Sequence, residues 1–272
     1  MPTSRGHAPV PGIRVSSPVC GGASGYPILM DQQPYSVSAE FYDILQSETD
    51  RRRAERLYAP AARAATYGIL DLGAGTGIVT TVLLECSAAP VHAVEPAAAM
   101  RASLLTRLSG LSADQRARLT LYPDPLTAKP LHQVADLAIC ANLIGCLDPA
   151  ERRATWRALA GALVPGGLLL VDPPPAEVPA EPSNHTLPPV RVGPDTYTAE
   201  VRSSPDRGRL QVTYTYRVAR EGTRVREVQE SFRMWPITSA ALHEELRDAG
   251  LMPEADGIAA PAGVLIGART PL

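Results

Sequence analysis

The chain has 272 residues, a net charge of −2, 45% hydrophobic residues and 20% charged ones. That length suits one large domain, or one domain with an insert, and the composition is that of an ordinary globular protein. So balanced a charge offers no field to hold nucleic acid or an anionic membrane, and neither is expected as a partner.

The basic run Arg51, Arg52, Arg53 and Arg56 is interleaved with Glu48, Asp50 and Glu55. It reads as a solvated, salt-bridged helix face. The four cysteines, Cys20, Cys86, Cys140 and Cys146, show no C-x-x-C spacing and no histidine at ligand distance. No metal site or disulfide is expected, and free thiols in the cytoplasm are the default. No stretch approaches the roughly 18 apolar residues of a membrane span, and the N-terminus lacks the apolar core of a secretory signal.

Residues 1–29 are rich in Pro, Gly and Ser without a period. They read as a disordered leader before a domain covering 30–272, with Met30 as an alternative start. Residues 35–66 predict helix in two pieces. From 67 to 172, strand and helix alternate. Strands are expected over 67–73, 91–96, 119–123, 134–141 and 167–172. A helix follows the first strand over 78–86. Another starts at Pro96, carries Met100, Leu104 and Leu108, and closes at Gly110. Asp148, Pro149 and Glu151 cap a helix that buries Trp156, Leu159 and Leu163 and stops at Pro165-Gly166-Gly167. Alternation of this kind predicts an α/β, doubly wound, mostly parallel sheet covered on both faces.

The pattern then changes. Residues 173–195 read as proline-rich loop. Three period-two runs, around 197–201, 210–218 and 228–234, predict a small antiparallel meander, making 173–236 an insert. Its apolar face, Leu210, Val212, Tyr214, Tyr216 and Val218, must pack on something. A helix capped by Ser239 and a last strand over 263–269 complete the chain.

The residues that carry chemistry begin with Leu70-Asp71-Leu72-Gly73-Ala74-Gly75-Thr76-Gly77, between the first strand and its helix. Glycines there permit positive φ and let a ligand approach the backbone. Asp71 is an acid in an apolar strand, where an unpaired carboxylate is costly. Glu95 closes the second strand, where a strand-end surface carboxylate can take both hydroxyls of a ribose. A dinucleotide fingerprint needs its third glycine at position 78, which is Ile78. A pyrophosphate also prefers bare amides without an acid beside them. Asp71 therefore argues for a ligand with cationic groups, such as an ammonium and a sulfonium.

With these residues the chain resembles the class I S-adenosylmethionine-dependent methyltransferases over about 35–172, in particular small-molecule members. The resemblance implies a seven-stranded sheet and S-adenosylmethionine as cofactor. It assigns Asp71, Gly73, Ala74, Gly75 and Gly77 to the amino-acid end of the cofactor and Glu95 to its ribose. Pro96 and Met100 would pack on the adenine, and Asp124 would accept its amino group, with Pro125, Asn142 and Leu143 beside the cofactor. The post-helix signature of the family stands as Pro165-Gly166-Gly167. The stretch Tyr35–Asp43 is similar to a family segment in which an aromatic residue covers the cofactor, a role open to Tyr42 or Tyr35. Asp172-Pro173-Pro174-Pro175 follows the fifth strand, not the fourth, and lacks an aromatic, so it does not match the motif of nucleobase-amine methyltransferases.

The reaction implied is displacement at a sulfonium methyl, in which the enzyme chiefly aligns the nucleophile at about 3 Å. An amine need only arrive neutral. A hydroxyl or carbon nucleophile needs a base, for which Tyr35, His185 and Asp172 are the candidates. The insert resembles the β-sheet lid of sugar-amine and glycine N-methyltransferases. A small-molecule or peptide amine is the expected acceptor, with O- or C-methylation as the alternative and a non-catalytic cofactor-binding scaffold as another. The Ala-, Arg- and Pro-rich composition points to a high-GC bacterium and secondary metabolism. A homodimer is a further possibility.

Overall fold

The computed structural model describes residues 34–254, 258–260 and 263–272. The leader expected over 1–29, and Cys20 with it, lie outside them.

In chain order the elements are α1 (Ser38–Leu57), α2 (Ala59–Ala64), β1 (Ile69–Leu72), α3 (Ile78–Cys86), β2 (Val91–Val94), α4 (Ala98–Ser109), α5 (Ala113–Ala117), β3 (Leu119–Tyr122) and β4 (Ala135–Cys140). A 3₁₀ turn, Ile144–Cys146, leads to α6 (Pro149–Ala162) and β5 (Leu163–Val171). Then come β6 (Ser183–Thr186), β7 (Val190–Val192), β8 (Asp195–Asp206), β9 (Arg209–Arg220) and β10 (Thr223–Met234). The chain finishes with α7 (Ser239–Asp248), β11 (Met252–Pro253), β12 (Ile258–Ala260) and β13 (Gly263–Arg269).

The main sheet runs β11-β13-β5-β4-β1-β2-β3, with β12 paired on β13. Strands β1 to β5 are mutually parallel, and β13 enters antiparallel beside β5. This is the α/β, mostly parallel seven-strand architecture expected. All four residues of β1 are buried because helices cover both faces. On one face α1, α2 and α3 pack Leu57, Ala62 and Leu83 against Ile69 and Val91. On the other, α6 and α7 pack Trp156, Leu159, Leu242 and Leu246 against Leu70 and Ala138. Between α6 and α7, the buried Arg152 donates to both oxygens of Glu245 at 2.8 and 2.9 Å, and Trp156 Nε1 adds a third bond at 3.1 Å.

Some local expectations shift. The Asp148 capping box forms as read, with Oδ1 accepting from Ala150 and Glu151. Helix α4 begins after Pro96, with Ala97 as its N-cap. Thr238, not Ser239, caps α7. Pro165-Gly166-Gly167 does not precede β5 but interrupts it. Ala135 pairs with Leu163 and Leu137 with Leu168, so the intervening residues bulge out, and Gly166 takes φ +77°. The proline-rich stretch holds two short strands, β6 and β7, that add to β8.

The second sheet is antiparallel, ordered β10-β9-β8-β6, with β7 also on β8. Its apolar face packs on α1. Ala199, Tyr216 and Val218 close over Phe41 and Leu45. Phe41 stacks on Tyr216 at 4.6 Å, with Arg226 over its ring at 5.5 Å. Tyr216 donates to Ser38 Oγ, and Glu230 accepts from Ser38 N. At the other end of the sheet, Trp235 N donates to Gly145 O at 2.7 Å and Ile237 N to Pro175 O at 3.0 Å. The second sheet is thus tied both to α1 and to the loops after β4 and β5.

Phe41 is fully buried, so Phe41→Ala should lower unfolding free energy by about 3–5 kcal/mol. Urea titration followed by tryptophan fluorescence measures this. A loss below about 1 kcal/mol would show that α1 and the second sheet are not packed as described.

Candidate active site

Strand order reverses between β1 and β4, and in open α/β sheets the crevice beyond the carboxyl ends at such a point receives the ligand. The loop after β1 enters this crevice. Its amides at Gly73 and Ala74 both donate to Val94 O, which folds the loop back over β2. Gly77 begins α3 at φ +84°, and a Cβ there would lie 3.0 Å from Leu104 Cγ, so only glycine fits without displacement. A Cβ added at Gly75, at φ +57°, would meet nothing closer than Gly73 O at 3.9 Å, so the space beside that residue is open.

Asp71 lies beneath the loop, 1% exposed. Its Oδ2 accepts from Thr80 Oγ1 at 2.6 Å, while Oδ1 is buried with no partner among the described residues. Burial raises its pKa to about 7, with Glu95 adding to the rise and the Thr80 hydrogen bond opposing it. An acid in that condition calls for a positive group.

Glu95 departs from the expectation of a surface acid. It is 6% exposed, its Oε2 accepting from Gly75 N and its Oε1 from Ala97 N, both at 2.7 Å. Arg101 donates to the carbonyl oxygens of Glu95 and Pro96. Burial raises the Glu95 pKa, opposed by the two amides and Arg101. The carboxylate thus buttresses the glycine loop, and removing it leaves two amides without acceptors.

Four side chains of the region between Asp43 and Tyr58 meet this crevice and were not singled out as site residues. Asp43 accepts from Thr76 Oγ1 at 2.5 Å and pairs with Arg107 at 2.7 Å, and Arg107 Nε also holds Thr76 O. Arg53 forms a two-pronged pair with the buried Asp172 at 2.7 and 3.0 Å and reaches Asn142 Oδ1. Tyr42 donates to Asp50 Oδ2 at 3.0 Å. Tyr58 is buried with no partner for its hydroxyl among the described residues, and burial and the Asp172 carboxylate raise its pKa. The basic run is therefore only partly the solvated face expected. Arg51 and Arg52 do pair with Glu55 and Glu48, but Arg53 and Asp50 turn inward. The signal was the helical period: 43, 50 and 53 fall on the face of buried Ala54 and Leu57.

The other nominated residues divide. Leu143 lies against Gly73. Asn142, at φ +52°, donates its amide to Asp172. Met100 is buried, while Pro96 and Pro125 are exposed. Asp124 is half-exposed and pairs with Lys129 at 2.6 Å, and among the described residues no hydrogen bond joins it to the crevice. Tyr35 holds a left-handed φ of +66°, uncommon for a bulky residue, and stacks on Phe232 at 4.9 Å. Burial and then Cys146 raise its pKa, and Glu95 is near enough to contribute. His185 is exposed on β6, paired with Val201, and has no hydrogen bond to any crevice residue among those described. The structure does not bring it to the site.

A family model described as a methyltransferase domain matches residues 70–169. Residues 70–169 thus lie in a methyltransferase domain, and the sheet around them has the class I methyltransferase fold. No protein of curated function matches by sequence. Among solved structures, the methyltransferase fold is shared with a sugar N-methyltransferase of Streptoalloteichus, at 21% identity and a TM-score of 0.67, covering 94% of this chain and 100% of that one. An amino pentose methyltransferase of Micromonospora echinaspora, described as involved in calicheamicin biosynthesis, matches at 21% identity and 0.64, covering 90% and 100%. A glycopeptide N-methyltransferase solved with S-adenosyl-L-homocysteine matches at 24% and 0.54, covering 82% and 86%. The crevice of the methyltransferase domain fits a cofactor with cationic groups, because Asp71 Oδ1 is buried without a partner among the described residues and a Cβ at Gly75 would meet open space. Among the described residues, no cluster of His, Cys, Asp and Glu is arranged to hold a metal, and no helix is long and apolar enough to cross a membrane.

The Asp71 pKa has a consequence for stability. A carboxyl group titrating near 7 when folded and near 3.8 when unfolded binds its proton more tightly in the folded state. Stability therefore falls as pH rises from about 4 to about 7, at up to about 1.4 kcal/mol per pH unit. Asp71→Asn should flatten that slope. Urea titrations of both proteins at pH 5 and pH 8, without cofactor, measure it. Equal slopes would place the Asp71 pKa at its ordinary value.

Proposed function

We propose that the protein transfers the methyl group of S-adenosylmethionine to an amine of a small-molecule or peptide acceptor, in bacterial natural-product metabolism. The observation that carries this reading is the arrangement at the carboxyl edge. Asp71 and the glycine loop, at the β1 end, are assigned to the amino-acid part of the cofactor, and Glu95, at the β2 end, to its ribose. Tyr35 and Tyr42, between the crevice and the second sheet, are assigned as its aromatic cover, and Asn142, Leu143 and Met100 as its flanks. When bound, the cofactor supplies an activated methyl group. The chain holds it in line with the acceptor and excludes water.

An amine is favoured over oxygen or carbon because none of the three nominated bases suits the task, Asp172 being held by Arg53 through both oxygens. The Tyr35 phenol is pushed away from ionisation by burial. His185 lies exposed on β6. A hydroxyl or carbon acceptor needs a strong base in the transition state, whereas an alkylammonium has only to lose one proton first. The N-methyltransferase activities in the descriptions of the sugar and glycopeptide enzymes support the same choice.

Calorimetry should show binding of S-adenosylhomocysteine and none of NAD, and labelled S-adenosylmethionine should pass its methyl group to an acceptor in a bacterial extract. Binding without transfer would favour a scaffold; NAD binding alone would overturn the reading. Glu95→Ala should weaken S-adenosylhomocysteine by about 1.5–3 kcal/mol. Because the Gly75 and Ala97 amides lose their acceptor, it should also lower unfolding free energy by about 1–3 kcal/mol. Unchanged affinity in the folded variant would remove Glu95 from the cofactor site.

A further inference from the structure

Resting on that reading, we propose that Asp50, held by Tyr42, receives the ammonium group of the acceptor and takes its proton before methyl transfer. The two residues are two turns apart on α1, joined by the 3.0 Å bond from Tyr42 to Oδ2. No hydrogen bond to Oδ1 exists among the described residues, yet that oxygen is not sealed from solvent, unlike Asp71 Oδ1. The guanidinium that would otherwise neutralise it, Arg53, is engaged by both oxygens of Asp172. Asp50 is thus a half-buried carboxylate with one oxygen unpartnered among the described residues and no guanidinium paired to it.

Its position is what the chemistry requires. The glycine loop and Glu95 occupy the β1 and β2 end of the crevice. Asp50 lies on the β4 and β5 side, within electrostatic reach of Asp172 at the end of β5 and of Tyr214 on β9. The groups that face it are Tyr42, Asp43 and Arg53 from α1, Asp172 from the loop after β5, and Tyr214 from the second sheet. Asp172 is paired with Arg53 and Asp43 with Arg107, so Asp50 is the carboxylate of this group without a guanidinium of its own, and it favours a cation there. The pKa of Asp50 is raised by burial, opposed by the Tyr42 bond and Arg53, and raised further by Asp172 and Asp43. That direction suits a group that must accept a proton.

The step balances as follows. An N–H bond of the alkylammonium breaks, its proton forms an O–H bond at Asp50 Oδ1, and the electron pair remains on nitrogen. Nitrogen then bonds the methyl carbon as the carbon–sulfur bond breaks, its electron pair going to sulfur. Asp50 afterwards releases the proton to solvent.

Sinefungin tests this without knowledge of the acceptor, because a carbon-bound ammonium replaces its methylated sulfonium and points toward the acceptor side. S-adenosylhomocysteine lacks that charge. Calorimetry should show that Asp50→Asn weakens sinefungin about tenfold and S-adenosylhomocysteine less than about twofold. The wild-type preference for sinefungin should rise with pH as Asp50 ionises. Tyr42→Phe, which deletes the bond stabilising the carboxylate, should move that rise to higher pH and serves also if Asp50→Asn does not fold. Equal losses for both ligands, no loss, or a pH profile unmoved in Tyr42→Phe would overturn the assignment to Asp50 while leaving methyl transfer standing. Wild-type protein that binds neither ligand would overturn the function on which it rests.

Discussion

Phe41 stacks on Tyr216 of the second sheet, and two residues later Asp43 binds Thr76 and Arg107 at the glycine turn. Helix α1 is therefore buried from two directions at once. Its outer side supplies the apolar cover that the meander needs, and its inner side supplies Asp43, Asp50, Arg53 and Leu57 to the main sheet. A rotation of one residue, about 100°, would expose Phe41 and withdraw Asp43 from the turn together. The seating of the second sheet on α1, the shape of the glycine turn and the inward acids all depend on that one helix keeping its angle.

The second constraint is electrostatic. Asp71, Glu95, Asp50 and Asp172 all stand at carboxyl ends of strands or face them, and three have raised pKa values for the same leading reason, burial. Glu95 is stabilised by two amides and Asp172 by Arg53. Asp71 and Asp50 each keep an oxygen without a partner among the described residues. Such a crevice is poorly satisfied alone and gains from a ligand carrying positive charge at separated points. A sulfonium cofactor and an ammonium acceptor have that character.

What the sequence disclosed and what it hid follow from range. The parallel sheet was legible because strand–helix alternation, the Asp148 capping box and the glycine turn are local patterns. The meander was legible from period two. The interruption of β5 by Pro165-Gly166-Gly167 was not, because a bulge depends on register with β4. Strands β6 and β7 were hidden among prolines and form only because β8 offers them an edge. At the carboxyl edge, Asp71 and the glycines were nominated from spacing, whereas Arg53 and Asp50 were read as solvent-facing because their partners are distant in sequence. Asp172 lies 119 residues from Arg53. Glu95 was found but misjudged, since the amides that bury it belong to a loop the strand pattern does not describe.

Hydrogen exchange with and without S-adenosylhomocysteine tests most directly whether the crevice and α1 act as one unit. The account predicts that the ligand slows exchange in the glycine turn, around Glu95–Ala97 and along α1, and that slowing on β8–β10 is confined to the face covering α1. Slowing limited to the glycine turn, with α1 exchanging as it does in the free protein, would contradict it.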